Sequence, residues 1–197
     1  MSLPPMVRVF FAIDLPVSVK EAVGSYIRAL KKSSKSQAIR WTKPENLHIT
    51  LQFLAEVQSE HIAKLAENAR KHLDKEMQAI SLSFGSVQLF PSLYRPRVIV
   101  LDIGPQDQLS ELSGWIGEGI MASNYPVEAR PFRAHLTLGR IKHPHGLNLS
   151  FLSELSKPSL GNIAINEVTL FRSQPQEDGS HYSVLEKIDL RVKKLAS

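Results

Sequence analysis

Two short stretches of the chain place a histidine and a threonine two residues apart: Leu47-His48-Ile49-Thr50-Leu51 and Ala134-His135-Leu136-Thr137-Leu138. On a β-strand alternate side chains share a face, about 7 Å apart, so His48 stands beside Thr50 and His135 beside Thr137, with the apolar residues on the other side. An imidazole titrates near pH 6.5 in water, so one of two histidines can be neutral and accept a proton while the other is charged and donates one. Brought face to face, such a pair supplies what in-line displacement at phosphorus requires: a base for the incoming water and an acid for the departing alkoxide. The threonine hydroxyls can hydrogen-bond the non-bridging oxygens, where charge builds in the transition state. The scheme calls for no metal and no cofactor.

One copy alone is the ordinary alternation of a half-exposed strand. With 7 histidines and 4 threonines in 197 residues, chance supplies only about 0.14 such pairs. The positions of the copies argue more strongly. Asp14, ending the apolar run Val7–Asp14, lies 34 residues before His48, and Asp102, ending Val98–Asp102, lies 33 before His135.

The elements between these points repeat as well. A helix is expected after Pro16, opened by a Ser18-x-x-Glu21 capping box and carried by Val19, Ala22, Val23, Tyr26, Ile27 and Leu30, with a turn over Trp41–Asn46 and a strand around His48–Leu54. Ile62, Leu65, Ala66, Ala69 and Leu73 predict a second helix, and Ile80–Leu89 a strand. The order restarts with strand Val98–Asp102, a helix from Gln106 to Ser123 and strand Arg133–Arg140. A short helical turn near Phe151–Leu155 and strands Ala164–Ser173 and Tyr182–Leu190 follow, the last two flanking a turn at Asp178-Gly179. The expected architecture is α+β: two similar β-α-β lobes, about residues 7–90 and 97–190, related by a pseudo-twofold axis. Antiparallel or mixed sheets would line a central cleft with helices outside. No Pro/Gly/Ser-rich linker divides the lobes, so residues 1–197 are read as one domain.

The stretches WTKPENLHITLQFLAEV (41–57) and RPFRAHLTLGR (130–140) resemble the two signatures of the 2H phosphoesterase superfamily, and within it the RNA 2′,3′-cyclic phosphodiesterases, also called 2′-5′ RNA ligases. RVFFAIDLP (8–16), FGSVQLFPSLYRPRVIVLDI (84–103) and VTLFRSQPQEDGSHYSVL (168–185) extend the likeness over nearly the whole chain. The resemblance implies a metal-independent enzyme that opens a terminal 2′,3′-cyclic phosphate on RNA to a 2′-phosphomonoester, with reversible 2′-5′ ligation as a further activity. It also implies His48 as proton donor, His135 as proton acceptor, and Thr50 and Thr137 as holders of the phosphate. Spacing alone does not distinguish the two histidines. Ala134 stands where the family usually has proline and Ala55 where it has glycine; neither change removes a functional group. Alternatives are a 2H enzyme acting on 2′-5′ oligoadenylate or a small cyclic nucleotide, and a non-catalytic protein that binds RNA ends.

Other side chains are candidates for holding substrate. Arg133 shares the parity of His135 and Arg130 precedes the strand, whereas Arg140 falls on the opposite face unless a bulge intervenes. Phe11, Trp41 and Tyr182 offer faces for a terminal base, or serve as packing. Lys31, Lys32 and Lys35 suit either an RNA backbone or the negative end of a helix. His143 and His145, without nearby carboxylates, are read as a surface turn and not as a metal site. Gly114-Trp115-Ile116-Gly117-Glu118-Gly119 lies within a helical pattern and is read as close packing.

The absence of cysteine excludes disulfides, Cys-ligated zinc and thiol nucleophiles. A net charge of +5 suits a polyanionic partner without requiring one. No signal-peptide pattern appears, and no apolar run approaches the ~20 residues a bilayer needs. A monomeric cytoplasmic protein without membrane contact is expected, its partner an RNA with a 2′,3′-cyclic phosphate end or a small nucleotide.

Overall fold

The computed structural model describes residues 3–73, 79–143, 147–177 and 179–190. The strands form two antiparallel sheets. The first has the order β3-β1-β8-β9, built from β1 (Met6–Asp14), β3 (His48–Gln58), β8 (Glu167–Gln176) and β9 (Gly179–Asp189). The second has the order β2-β6-β5-β4-β7, built from β2 (Ile39–Trp41), β4 (Ser81–Phe90), β5 (Val98–Gly104), β6 (His135–Ile141) and β7 (Ile163–Ala164). This is the expected α+β architecture with helices over the sheets.

The lobes differ from the contiguous halves 7–90 and 97–190. β4 pairs with β5 across a short connection and so joins the second sheet, and the returning β8 pairs with β1 and joins the first. The order β3-β1-β8 in one sheet thus answers β6-β5-β4 in the other.

Helix α1 (Val17–Ser34) buries Val23, Tyr26, Ile27 and Leu30 at helical spacing and ends on left-handed Lys35, with Lys31 and Lys32 in its last turn. Its expected capping box is not formed. The helix starts before Ser18, with Pro16 as N-cap, and the Pro16 carbonyl accepts the amides of Val19 and Lys20. Helix α2 (Ile62–Leu73), entered through a 3₁₀ turn at Ser59–His61, packs on α3 (Gln106–Ala122). A side chain at Gly119 would place its Cβ 2.6 Å from the Cα of Ala69, so the two helices meet where only glycine fits. A last helical turn, α4, covers Phe151–Glu154 and contacts α1.

One continuous core lies between helices and sheets. It takes Val9, Phe11 and Ile13 of β1, Ile49 and Leu51 of β3, and Leu136 and Leu138 of β6. The opposite sheet faces carry a small second cluster, Phe10, Ala12 and Phe171 with Tyr182 against it. No described helix is long and apolar enough to cross a membrane. His145 and Asp178 lie outside the described residues, while His143 is exposed.

Candidate active site

β3 is an edge strand of the first sheet, and β6 is covered on its outer side only over Gly139–Ile141, by β2. Their open stretches, the two His-x-Thr segments, line one cleft of about 160 Å³ with Phe10, Thr42, Asn46, Phe53, Arg140, Ser173 and Tyr182.

The strands are built alike. Asp14 pairs across the sheet with His48, and Asp102 with His135. The Nδ1–H of His48 donates to the carbonyl of Asn46 at 2.7 Å, and that of His135 to the carbonyl of Arg133 at 2.8 Å. Each bond fixes the tautomer and leaves Nε2 free of a proton in the neutral ring. The hydroxyl of Thr50 donates to Nε2 of His48 at 3.0 Å.

Both strands also bulge three residues after the histidine. The register passes from Ala12↔Thr50 to Phe11↔Gln52, leaving Leu51 unpaired, and from Val100↔Thr137 to Ile99↔Gly139, leaving Leu138 unpaired. An extra residue reverses the alternation beyond it. The residues five beyond each histidine, Phe53 and Arg140, therefore turn into the cleft. Parity without the bulge would have placed Arg140 on the core side.

The two rings differ in surroundings. Phe10 tilts against His48 with centroids 4.7 Å apart, Tyr182 meets it edge-on at 5.2 Å, and Phe171 lies at 6.3 Å. Burial drives the pKa of His48 down to about 4, and the cations of Lys20 and Arg140 push the same way against the Asn46 hydrogen bond and Asp14. His135 is lowered too, first by burial and then by Arg140 and Arg133. Its only ring neighbour among the described residues is Phe90, at 5.3 Å. With both pKa values below the ordinary 6.5, both imidazoles are mainly neutral at pH 7.

Among the other expected residues, Tyr182 lines the cleft and Phe11 does not. Phe11 is fully buried in the core, because the alternation of β1 sends Val9, Phe11 and Ile13 inward and Phe10 outward; the aromatic expected at Phe11 is Phe10. Trp41 packs edge-on to Phe151, 6.4 Å between centroids, and borders a smaller cavity beside the cleft. Arg133 donates to Gln88 Oε1 at 2.6 Å and lies over Phe90, and Arg130 is paired with Glu128, so both stand in an adjoining cavity. Asn46, Phe53, Thr42 and Ser173 were not expected. Phe53 has the same offset from His48 that Arg140 has from His135, and that offset was the available signal. No group of three or more His, Cys, Asp or Glu positioned to hold a metal occurs among the described residues.

Two strands from different antiparallel sheets that present His-x-Thr to a common cleft fit a phosphoesterase of the 2H type. Residues 13–100 match the model of the LigT-like phosphoesterases. The RNA 2′,3′-cyclic phosphodiesterase of Archaeoglobus fulgidus is 30% identical over 185 residues, 94% of this chain and 98% of that protein. Its counterpart from Methanothermobacter thermautotrophicus is 28% identical over 182 residues, 91% and 97% of the respective chains. The crystal structure of E. coli LigT complexed with 3′-AMP superposes with a TM-score of 0.74 at 25% identity, covering 94% of this chain and 99% of that one. The chain belongs to the LigT-like phosphoesterase family and is an enzyme of the phosphodiesterase class.

Proposed function

We propose that the cleft hydrolyses the terminal 2′,3′-cyclic phosphate of RNA to a 2′-phosphomonoester by acid–base catalysis between His48 and His135. The observation that carries this reading is the matched pair of imidazoles, each tied through Nδ1–H to a backbone carbonyl so that Nε2 is the reactive nitrogen. His135 Nε2 takes the proton of a water whose oxygen attacks phosphorus. The bond from phosphorus to the 3′ oxygen breaks, and a proton on His48 Nε2 passes to that oxygen. Thr50, Thr137 and the Arg140 guanidinium bind the non-bridging oxygens.

His48 must be charged to act as the acid, and in the protein alone its pKa is lowered to about 4. The bound phosphodiester carries the negative charge that raises it, so substrate itself prepares the acid. Phe10 and Tyr182 offer ring surface for the terminal nucleoside beside His48. The family members named for this reaction, and the 3′-AMP held by E. coli LigT, support the choice of substrate.

The deciding experiment is product analysis on an oligonucleotide ending in a 2′,3′-cyclic phosphate, with and without EDTA. A 2′-phosphate formed equally in both is expected. A 3′-phosphate would reverse the leaving group, and loss of activity in EDTA restored by a divalent ion would overturn the metal-free scheme. Binding of RNA ends without turnover would favour a non-catalytic role. The same assay with an added 5′-hydroxyl strand measures reverse 2′-5′ ligation. A 2′-5′ oligoadenylate and a small cyclic nucleotide, run in parallel, test the alternative substrates.

A further inference from the structure

A second cavity of about 290 Å³ opens beside the catalytic cleft and shares Thr50, Phe53 and His135 with it. Its remaining wall includes Phe90, Glu128, Arg130, Phe132 and Arg133. Neither proton transfer uses these groups, yet they combine aromatic faces with two guanidiniums. Arg133 lies 4.6 Å over the ring of Phe90 and is steadied by Gln88 and by Asp102, 3.4 Å away. Arg130 is paired with Glu128, and its side chain is 82% exposed. Phe53 is 44% exposed.

We propose that this cavity is a subsite for the second nucleotide of the RNA, its phosphodiester on Arg133 and Arg130 and its base against Phe53 and Phe90. The inference rests on the reading of the cleft as a cyclic phosphodiesterase. A terminal nucleoside cyclic phosphate has one covalent neighbour, the nucleotide on its 5′ oxygen, so that nucleotide must lie in a space contiguous with the cleft. The cleft by itself, about 160 Å³, is too small for more than the terminal residue. With the adjoining cavity the site enters the ~300–1,000 Å³ range of ligand pockets. Of the rival directions, a cavity of about 70 Å³ lined by Arg40, Trp41, Lys43 and Tyr182 is less roomy, and one of about 440 Å³ reached past Ser173 has Arg8 and Arg172 in its wall but no aromatic ring. An aromatic face takes any base, so the subsite reads the presence of a nucleotide and not its identity.

The test compares kcat/KM for a nucleoside 2′,3′-cyclic monophosphate and for a dinucleotide ending in the same cyclic nucleotide, in 50 to 200 mM salt. The dinucleotide is expected to be favoured by about tenfold, the size of one charge-assisted contact. Its salt dependence should be steeper by about 0.7 in the log–log slope, one phosphate contact on a single strand. Arg130→Glu and Arg133→Gln should bring the ratio of the two substrates toward one and remove the extra slope, and Glu128→Gln should raise the ratio. Arg40→Gln should leave the ratio in place. Equal efficiencies in the wild-type enzyme would overturn the subsite and leave the cleavage reading intact, as would a ratio that survives Arg130→Glu but falls in Arg40→Gln. No turnover of either substrate would sink the cleavage reading and the subsite with it.

Discussion

Strands β3 and β6 carry the same device and finish it differently. Each holds a histidine opposite an aspartate, ties Nδ1 to the carbonyl two residues back, sets a threonine beside the ring and bulges one residue later. Past the bulge one strand turns Phe53 into the cleft and the other Arg140. His48 lies among Phe10, Tyr182 and Phe171, while His135 lies between two arginines and a single phenylalanine. The near-twofold frame presents the two imidazoles alike. The two odd residues make the cleft asymmetric, with charge on the β6 side and ring surface on the β3 side. A symmetric frame alone would not tell a phosphate which way to lie.

The harshest way to break the comparison is to remove one ring at a time. His48→Ala and His135→Ala should each lower kcat by about 10²–10⁴, the range for one general acid or base. The double variant should fall little further, because the two act as a unit. Retention of wild-type turnover by either single variant on a 2′,3′-cyclic phosphate would end the acid–base scheme.

Next comes the residue that distinguishes the halves. Arg140→Leu should cost about 10² in kcat/KM, the scale for losing one charge-stabilising donor. It should also leave a pH signature. Arg140 depresses both imidazoles, so without it both pKa values rise. The proposed scheme needs one ring neutral and one charged, which gives a bell. In wild type, with both groups lowered in the free enzyme, the kcat/KM optimum should lie below pH 6.5, whereas the kcat optimum should lie higher because bound phosphate raises both. In Arg140→Leu the kcat/KM bell moves toward alkaline pH. A bell that stays in place would show that Arg140 does not act on the histidines.

Much of this pair was legible in the sequence. Alternation and the 34- and 33-residue offsets pointed to His48 and His135 as matched positions of a duplicated unit, while the pairing of Asp14 with His48 and of Asp102 with His135 came only with the sheet register. The bulges were not legible. An unpaired Leu51 or Leu138 looks like any strand leucine, and only the register against β1 and β5 exposes it. The place of Phe10 instead of Phe11 in the cleft is hidden for the same reason: in an unbroken apolar run such as VRVFFAID nothing marks which parity faces the cleft. The sheet partners of β4 and β8 were hidden as well, because a repeat in sequence order does not state which sheet a returning strand completes.

The unequal burial of the histidines has a consequence for stability that activity cannot mimic. His48 titrates near 4 in the folded cleft and near 6.5 in an unfolded chain, so between these values the unfolded state binds the extra proton. Stability is therefore full above pH 6.5 and lost as pH falls toward 4. By pH 5 the loss from this one group is about 2 kcal/mol. His48→Gln should unfold with a flatter dependence on pH in urea titrations between pH 7 and 5. His135→Gln should flatten it less, its ring having fewer aromatic neighbours. Equal slopes in the two variants would mean the halves do not differ in burial in the way the ring contacts indicate.

The smallest expected effect sharpens the contrast at the matched offset. Phe53 has the guanidinium of Arg8 5.9 Å from its ring centroid and keeps much of its surface open, so its own side chain adds contact area and no charge. Phe53→Leu retains an apolar group and removes only the flat face. Its cost should be less than about tenfold in kcat/KM, near the low end of the ~1–3 kcal/mol that base stacking contributes. The cost should appear in KM, leave kcat and both limbs of the pH profile unchanged, and grow from a cyclic mononucleotide to a dinucleotide, since Phe53 borders both cavities. If Phe53→Leu instead shifted the pH limbs as Arg140→Leu does, the two positions would share an electrostatic role. The division of the site into a charged half and a stacking half would then be wrong.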